Sequence, residues 1–282
     1  MKTPHFTLVP AGIATLIPRL SRILRLSSIA RLGGLTVLTV LCACQTTSSF
    51  NNTAYPYVFE EERLQQHAVK TLLIAPVNLG PPSKKYLHKH RATIDKKVAQ
   101  RLGAAGYHIA DPQLFQQAWR IATRKYGQPY HPLTTQLNAN TMRHVMHSTL
   151  SHLRQNSAVD AVLFSDLIER QITFGSHGKR SAKWDGVTRK PRLKGGTSSV
   201  SQGFDWSQTV PAISLSLTLY RNDGRRLFHS VGGLEVSRQI DARRGNGRFV
   251  RRDKILRSQN HIREGIALAL HPLVPMEDYP QP

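Results

Sequence analysis

The chain is poor in cysteine and in acid. Of 282 residues, two are cysteine and 17 are Asp or Glu, against 39 Lys and Arg, for a formal charge of +22. Both cysteines precede residue 45. That excludes a disulfide scaffold and leaves the rest of the chain without a thiol for a zinc site or a nucleophile. Scarce acid also weighs against paired-carboxylate catalysis. The apolar run Leu32 to Ala43 falls short of the about 20 residues a spanning helix needs. What is present is enough for a core: hydrophobic residues make up 40%, so the chain is not wholly disordered. Its length allows one or two domains.

No Asp or Glu precedes Cys44, whereas Lys2, Arg19, Arg22, Arg25 and Arg31 do. A basic stretch followed by a short apolar run is the pattern of an export leader. The stripe Ile13, Leu16, Leu20 and Leu24 also fits a basic amphipathic helix, and an uncleaved anchor is the alternative to a removed leader. The run ends Leu41-Cys42-Ala43-Cys44, which resembles the lipobox of bacterial lipoproteins, with Cys42 where Ser, Ala or Thr is more usual. The resemblance implies a signal peptide over 1–43, cleavage after Ala43 and lipid on Cys44. Several acyl chains anchor stably where one does not. In that pattern Asp after the Cys retains the protein at the inner membrane. Gln45 therefore implies the outer membrane, and the expected location is its periplasmic face. Residues 44–68 read as the lipidated Cys and a flexible polar tether, reaching roughly 25–30 Å as a coil.

Residues 69–274 read as one α/β domain, with 275–282 as a tail. Thr71 to Val77 is a short buried strand. Ile94, Val98 and Leu102 mark an amphipathic helix that Gly106 ends. Tyr107 to Ala110 is a second strand, and Asp111-Pro112 combines a cap with proline at the first helical position. The helix that follows closes at Gly127, and another covers roughly 139–155. Ala161 to Phe164 begins a central strand running toward Phe174. Ile213, Leu215, Leu217 and Leu219 alternate with polar residues, Asn222-Asp223-Gly224 is a hairpin turn signal, and Leu227 to Ser237 returns. A last helix carries Ile262, Ile266 and Leu270 and stops at Pro272. The order β-α-β-α-α-β, hairpin, α implies a mixed β-sheet flanked by helices, with parallel early strands. Residues 175–209 break the pattern as a long loop or projecting hairpin.

The segments "KTLLIAPVNLG", "RLGAAGYHIADP" and "AVDAVLFSDLIE" resemble an envelope group. It comprises the curli-secretion lipoprotein, the lipoprotein activators of penicillin-binding proteins, and the amino-terminal domain of the Tol–Pal propeller protein. The likeness covers roughly 69–272 and implies a small α/β domain acting on envelope partners. The insert 175–209 has no counterpart in the group, and no segment suits the transmembrane strands of a secretion pore.

Catalytic signals are missing. No G-x-G-x-x-G follows a strand, and the Gly-rich stretches lack phosphate-loop spacing. Ser176-x-x-Lys179 lies in a loop without its partner motifs. His144 with His147, and His88 with His90, lack the further ligands a metal shell requires. Asp160, Asp166 and Glu169 lie around one strand, where Asp160 reads as a cap or turn residue. The expectation is no enzyme, no metal and no cofactor.

The unusual feature is positive charge in two stretches. One holds Lys179, Arg180, Lys183, Arg189, Lys190, Arg192 and Lys194, near Trp184, Phe204 and Trp206. The other holds Arg243, Arg244, Arg248, Arg251, Arg252, Lys254 and Arg257. Cations beside aromatics suit anionic partners. An ordinary solvated basic surface is the plain alternative, with Trp184 or Trp206 packing on the sheet edge. The chain is therefore expected to be an adaptor that binds an envelope protein. The alternative is a module for anionic polysaccharide or lipid, either lipopolysaccharide or peptidoglycan. Nucleic acid is not an expected partner of an exported chain.

Overall fold

The computed structural model describes residues 57–75, 85–131, 134, 136–175, 180–195, 200, 202–243 and 247–276. Ala43, Cys44, Lys179 and Arg244 lie outside them, as do the leader, the tail from 277 and the tether up to residue 56.

Six strands form the main sheet. In chain order they are β1 (Tyr57–Phe59), β2 (Thr71–Ala75), β3 (His108–Ile109), β4 (Ala161–Ile172), β8 (Val210–Arg221) and β9 (Arg226–Val236), and across the sheet they run β1-β9-β8-β4-β2-β3. The early strands β2, β3 and β4 are parallel, and β4-β8-β9-β1 are antiparallel. The sheet is mixed, as the element order implies.

Helices cover both faces. The α2 (Lys85–Ala104) and α5 (Gln259–Leu270) helices bury Ile94, Val98, Leu102, Ile262 and Ile266 against Leu72, Leu163, Leu215 and Leu217. On the other face α3 (Pro112–Tyr126) and α4 (Ala139–Asn156) bury Phe115, Leu150 and Leu153 against Leu73, Val162 and Phe164. Asp111 caps α3 by accepting from the Gln113 amide at 2.8 Å, and Asn138 and Ser258 cap α4 and α5. The cap-and-proline reading of Asp111-Pro112 matches this geometry.

One sequence expectation changes, and another resolves between its two alternatives. The tether does not extend to 68. Tyr57–Phe59 pairs with β9, Phe59 meets the Phe228 ring edge-on at 6.1 Å, and α1 (Glu61–Gln66) follows with Leu64 against the core. Three apolar residues suffice here because the strand only has to cover the open edge of β9. Of the two readings of 175–209, a long loop or a projecting hairpin, the described residues take the second. They form a hairpin of β5 (Ala182–Trp184) and β6 (Val187–Arg189), then β7 (Leu193–Lys194). The hairpin turns at Asp185-Gly186, where both φ angles are positive, 39° and 82°, as a two-residue turn between twisted strands requires.

The hairpin lies on β8 and β9 opposite α5. Trp184 is buried and donates through Nε1 to Ser214 Oγ at 3.1 Å, and Ser214 donates to Asp185 at 2.6 Å. This close stacking depends on Gly232 and Gly233. A Cβ on Gly232 would sit 2.0 Å from the Gly265 carbonyl of α5, and one on Gly233 would sit 2.3 Å from Val187. Successive strand residues face opposite ways, so the pair lets backbone approach β9 from both sides.

Candidate anion-binding cleft

After β9 the chain enters β10 (Arg238–Asp241) and β11 (Arg248–Arg251), an antiparallel pair. β7 joins β10 in parallel, with Leu193 opposite Ile240 and Lys194 opposite Asp241. The two basic stretches, some 45 residues apart in the chain, thus meet in one three-stranded sheet. A cleft of about 450 Å³ opens between this sheet's base and α2, lined by Tyr86, Lys89, Glu169, Arg238, Arg251 and Arg252 among others. A second groove of about 360 Å³ shares Lys89, Asp253 and Ile255 with it and adds His90, Lys254 and Arg257.

The cations of the first stretch separate by environment. Lys183, Lys190 and Arg192 are exposed and Lys194 half-buried. Arg180 is exposed and lies 4.4 Å over the Trp206 ring, whose neighbours Phe174, Phe204 and Phe249 form an aromatic cluster. Arg189 departs from the expected loop surface. It is buried, reaches Glu264 of α5 at 2.6 Å and donates to the Leu234 carbonyl at 3.3 Å. It faces inward because β6 alternates, and Val187 and Arg189 both point at the core.

The second stretch separates in the same way. Arg243 is exposed but held by Asp241 through Nε at 2.8 Å and Nη2 at 2.7 Å. Those bonds hold the Asp241 carboxyl well below the usual range. Arg252 is not a surface cation either. It is buried against Glu235 at 2.5 Å and donates to the Val236 carbonyl at 2.8 Å. Arg251 is exposed, with its guanidinium 4.8 Å over the Tyr86 ring. Of the cations anticipated as an anion surface, the cleft therefore gathers Arg251 and Arg252. Lys194 and Arg243 are at the Asp241 end of β10 and do not line it, and neither do the hairpin cations.

Sequence patterning gave no reason to choose Tyr86, Arg238 or Glu169 as lining, since tertiary pairing alone brings them together. The Tyr86 hydroxyl donates to Glu169. Burial first, and then Glu169, push its pKa far up, so it remains a neutral donor. His90 is held below its usual value by burial and then by Lys89 and Arg257, so it is neutral at neutral pH. Among the described residues no group of three or more His, Cys, Asp or Glu could hold a metal ion. His144 stacks on Tyr126 at 5.5 Å, and Asp160 receives the Lys70 and Thr71 amides at 2.9 and 2.8 Å, closing the start of β2.

No protein-family model and no curated protein matches the chain. One solved structure is similar in part: the crystal structure of the lipoprotein GNA1162 from Neisseria meningitidis, 14% identical, covering 60% of this chain and 84% of that one, with a TM-score of 0.28. A score that low carries neither fold detail nor function across. Among the described residues no helix is long and apolar enough to cross a membrane.

Proposed function

We propose that the chain is a lipid-anchored domain of the bacterial envelope that acts by binding rather than catalysis, tethered through Cys44 and docking an acidic partner protein on the β7–β10–β11 surface. The observation that supports this is the register of β7, β10 and β11, which sets Lys194 of the first stretch and Arg248 of the second on either side of Asp241. A second reading is favoured by the cleft itself. Arg238 and Arg251 line it without an ion pair among the described residues, which suits an anionic group of a polymer or lipid.

The test is crosslinking in cells from the exposed Arg192, followed by mass spectrometry of the adducts, with Cys44→Ala run in parallel. One dominant protein adduct, lost when Cys44→Ala frees the chain from the membrane fraction, supports the adaptor. Mostly glycan or lipid adducts favour the second reading. A Cys44→Ala chain that stays membrane-bound removes the lipid-anchor premise.

A further inference from the structure

Arg238 and Arg251 are directly opposite each other across β10 and β11. The Arg252 amide donates to the Ser237 carbonyl at 3.1 Å, which makes that neighbouring pair the hydrogen-bonded one. Pairs alternate along an antiparallel ladder, so Arg238 and Arg251 occupy the close-set, non-hydrogen-bonded position. Like charges directly opposite destabilise a strand pair, and no carboxylate among the described residues bridges these two. The same cleft is lined by Arg252, whose side chain is 4% exposed. Glu235 and the Val236 carbonyl engage its Nη1, while the buried Nη2 has no hydrogen-bond partner among the described residues. A buried guanidinium N–H without an acceptor is costly. Lys89 adds a fourth cation to the lining, against Glu169 and Asp253. Glu169 is engaged by the Tyr86 hydroxyl, and Asp253 is exposed at the junction of the two grooves.

We infer that this cleft receives a phosphate group, held between Arg238 and Arg251 with Arg252 and Lys89 in its wall. Arginines directly opposite each other across a strand pair can offer their guanidinium forks to one oxyanion, which can take bidentate bonds from both. A phosphomonoester carries about two negative charges at neutral pH and three acceptor oxygens, enough for all of these donors, whereas a carboxylate has one charge and two oxygens. The volume lies within the range of ligand pockets, roughly 300–1,000 Å³, so the molecule bearing the phosphate is admitted as well. The inference rests on the second functional reading and narrows it to a phosphorylated ligand.

The experiment is calorimetric titration of the full chain in neutral detergent with inorganic phosphate, with dihexanoyl phosphatidic acid, and with acetate at matched ionic strength. Arg238→Gln and Arg251→Gln are compared with Arg192→Gln, whose side chain is outside the cleft. The expected result is saturable binding of a phosphate probe, weakened at least tenfold by either cleft variant and unchanged by Arg192→Gln. Stronger binding of the lipid phosphate, competed by free phosphate, assigns a lipid headgroup. Equal binding of the two assigns a soluble phosphate. Acetate binding as well as phosphate, or all three variants behaving alike, overturns the inference. Thermal melting of the two cleft variants no lower than that of the wild type separates lost binding from lost folding. If the titration fails while the in-cell protein adduct persists, only the phosphate site falls and the adaptor stands.

Discussion

Replacing Arg189 by Ala should cost the fold about 3 kcal/mol, whereas replacing its neighbour Arg192 should cost almost nothing. The Arg189 side chain is 8% exposed and its Glu264 partner 18%. Its Nε also serves the Leu234 carbonyl on β9, so one guanidinium joins the hairpin, the sheet and α5. Removing one member of a buried ion pair costs about 3–5 kcal/mol because the other charge stays behind in a poorly solvated place. The partial exposure of Glu264 sets the effect at the lower end. With a urea slope of about 2.5 kcal/mol/M, the unfolding midpoint should fall by about 1.2 M with the slope unchanged. Arg192→Ala, at an exposed position, should stay within about 0.5 kcal/mol of wild type. Replacing both partners, Arg189→Met with Glu264→Leu, should restore most of the loss, since apolar groups of similar volume need no counter-charge. The reasoning is refuted if Arg189→Ala and Arg192→Ala unfold at the same urea concentration.

Two further predictions concern packing and pH. Gly232→Ala should destabilise by about 3 kcal/mol or more, because the new methyl meets the Gly265 carbonyl and the Ala269 amide, backbone that a side-chain rotation cannot clear. Soluble yield and the urea midpoint check this, and a loss under about 1 kcal/mol would mean that α5 can lift off β9. The Asp95 carboxyl on α2 is raised above its usual 3.8 by burial, which outweighs Ser165 and Arg91. Between 3.8 and that higher value the folded chain holds a proton the unfolded chain has released, so this residue's contribution to stability falls as pH rises through the window. Asp95→Asn should flatten that slope and leave stability at pH 7 equal or higher. A clear loss at pH 7 would show instead that the ionised form, paired with Arg91 at 3.6 Å, matters more than its desolvation.

The elements that were legible in the chain are those whose signal is local. Ile213 to Leu219 alternates over a strand long enough for its period to stand out, and Asn222-Asp223-Gly224 closes its hairpin. Asp111-Pro112 and Gly127 punctuate α3 because capping chemistry acts within a few residues. What stayed hidden is short or paired at a distance. Asp185-Gly186 is a strong turn signal, but it joins runs of three residues in which an inward-facing Arg189 breaks the apolar pattern. β7 is two residues long, and its partner β10 lies beyond the whole β8–β9 hairpin. The close pairing of Arg238 with Arg251 is a matter of register, and a one-residue slip would send the two side chains to opposite faces.

Charge carries the same lesson from the other side. In a chain with more than twice as many cations as acids, counting cations marks whole stretches without ranking the residues inside them. Some of the acids do the ranking, because they are each near a particular arginine: Asp95 with Arg91, Asp185 with Arg170, Asp223 with Arg221, Glu235 with Arg252, Asp241 with Arg243 and Glu264 with Arg189. Where the acid is buried, its arginine is drawn inward and becomes part of the fold, as with Glu235 and Arg252, or pinned at the surface, as with Asp241 and Arg243. The arginines left without an acid in a concave place then carry the information. Arg238 and Arg251 are two such residues, set against each other by the register of β10 and β11. Their mutual repulsion is present in the folded chain whether or not anything is bound. A ligand that supplies the missing negative charge gains the relief of that repulsion in addition to its own contacts. The prediction that follows is reciprocal. Arg251→Gln should weaken phosphate binding, and in the absence of phosphate it should stabilise the fold slightly, by about 0.2–1 kcal/mol for a like-charge cross-strand pair. Opposite signs of effect on binding and on stability distinguish a residue kept for a ligand from one kept for the fold, and loss of both together would place Arg251 with Arg189 among the structural arginines.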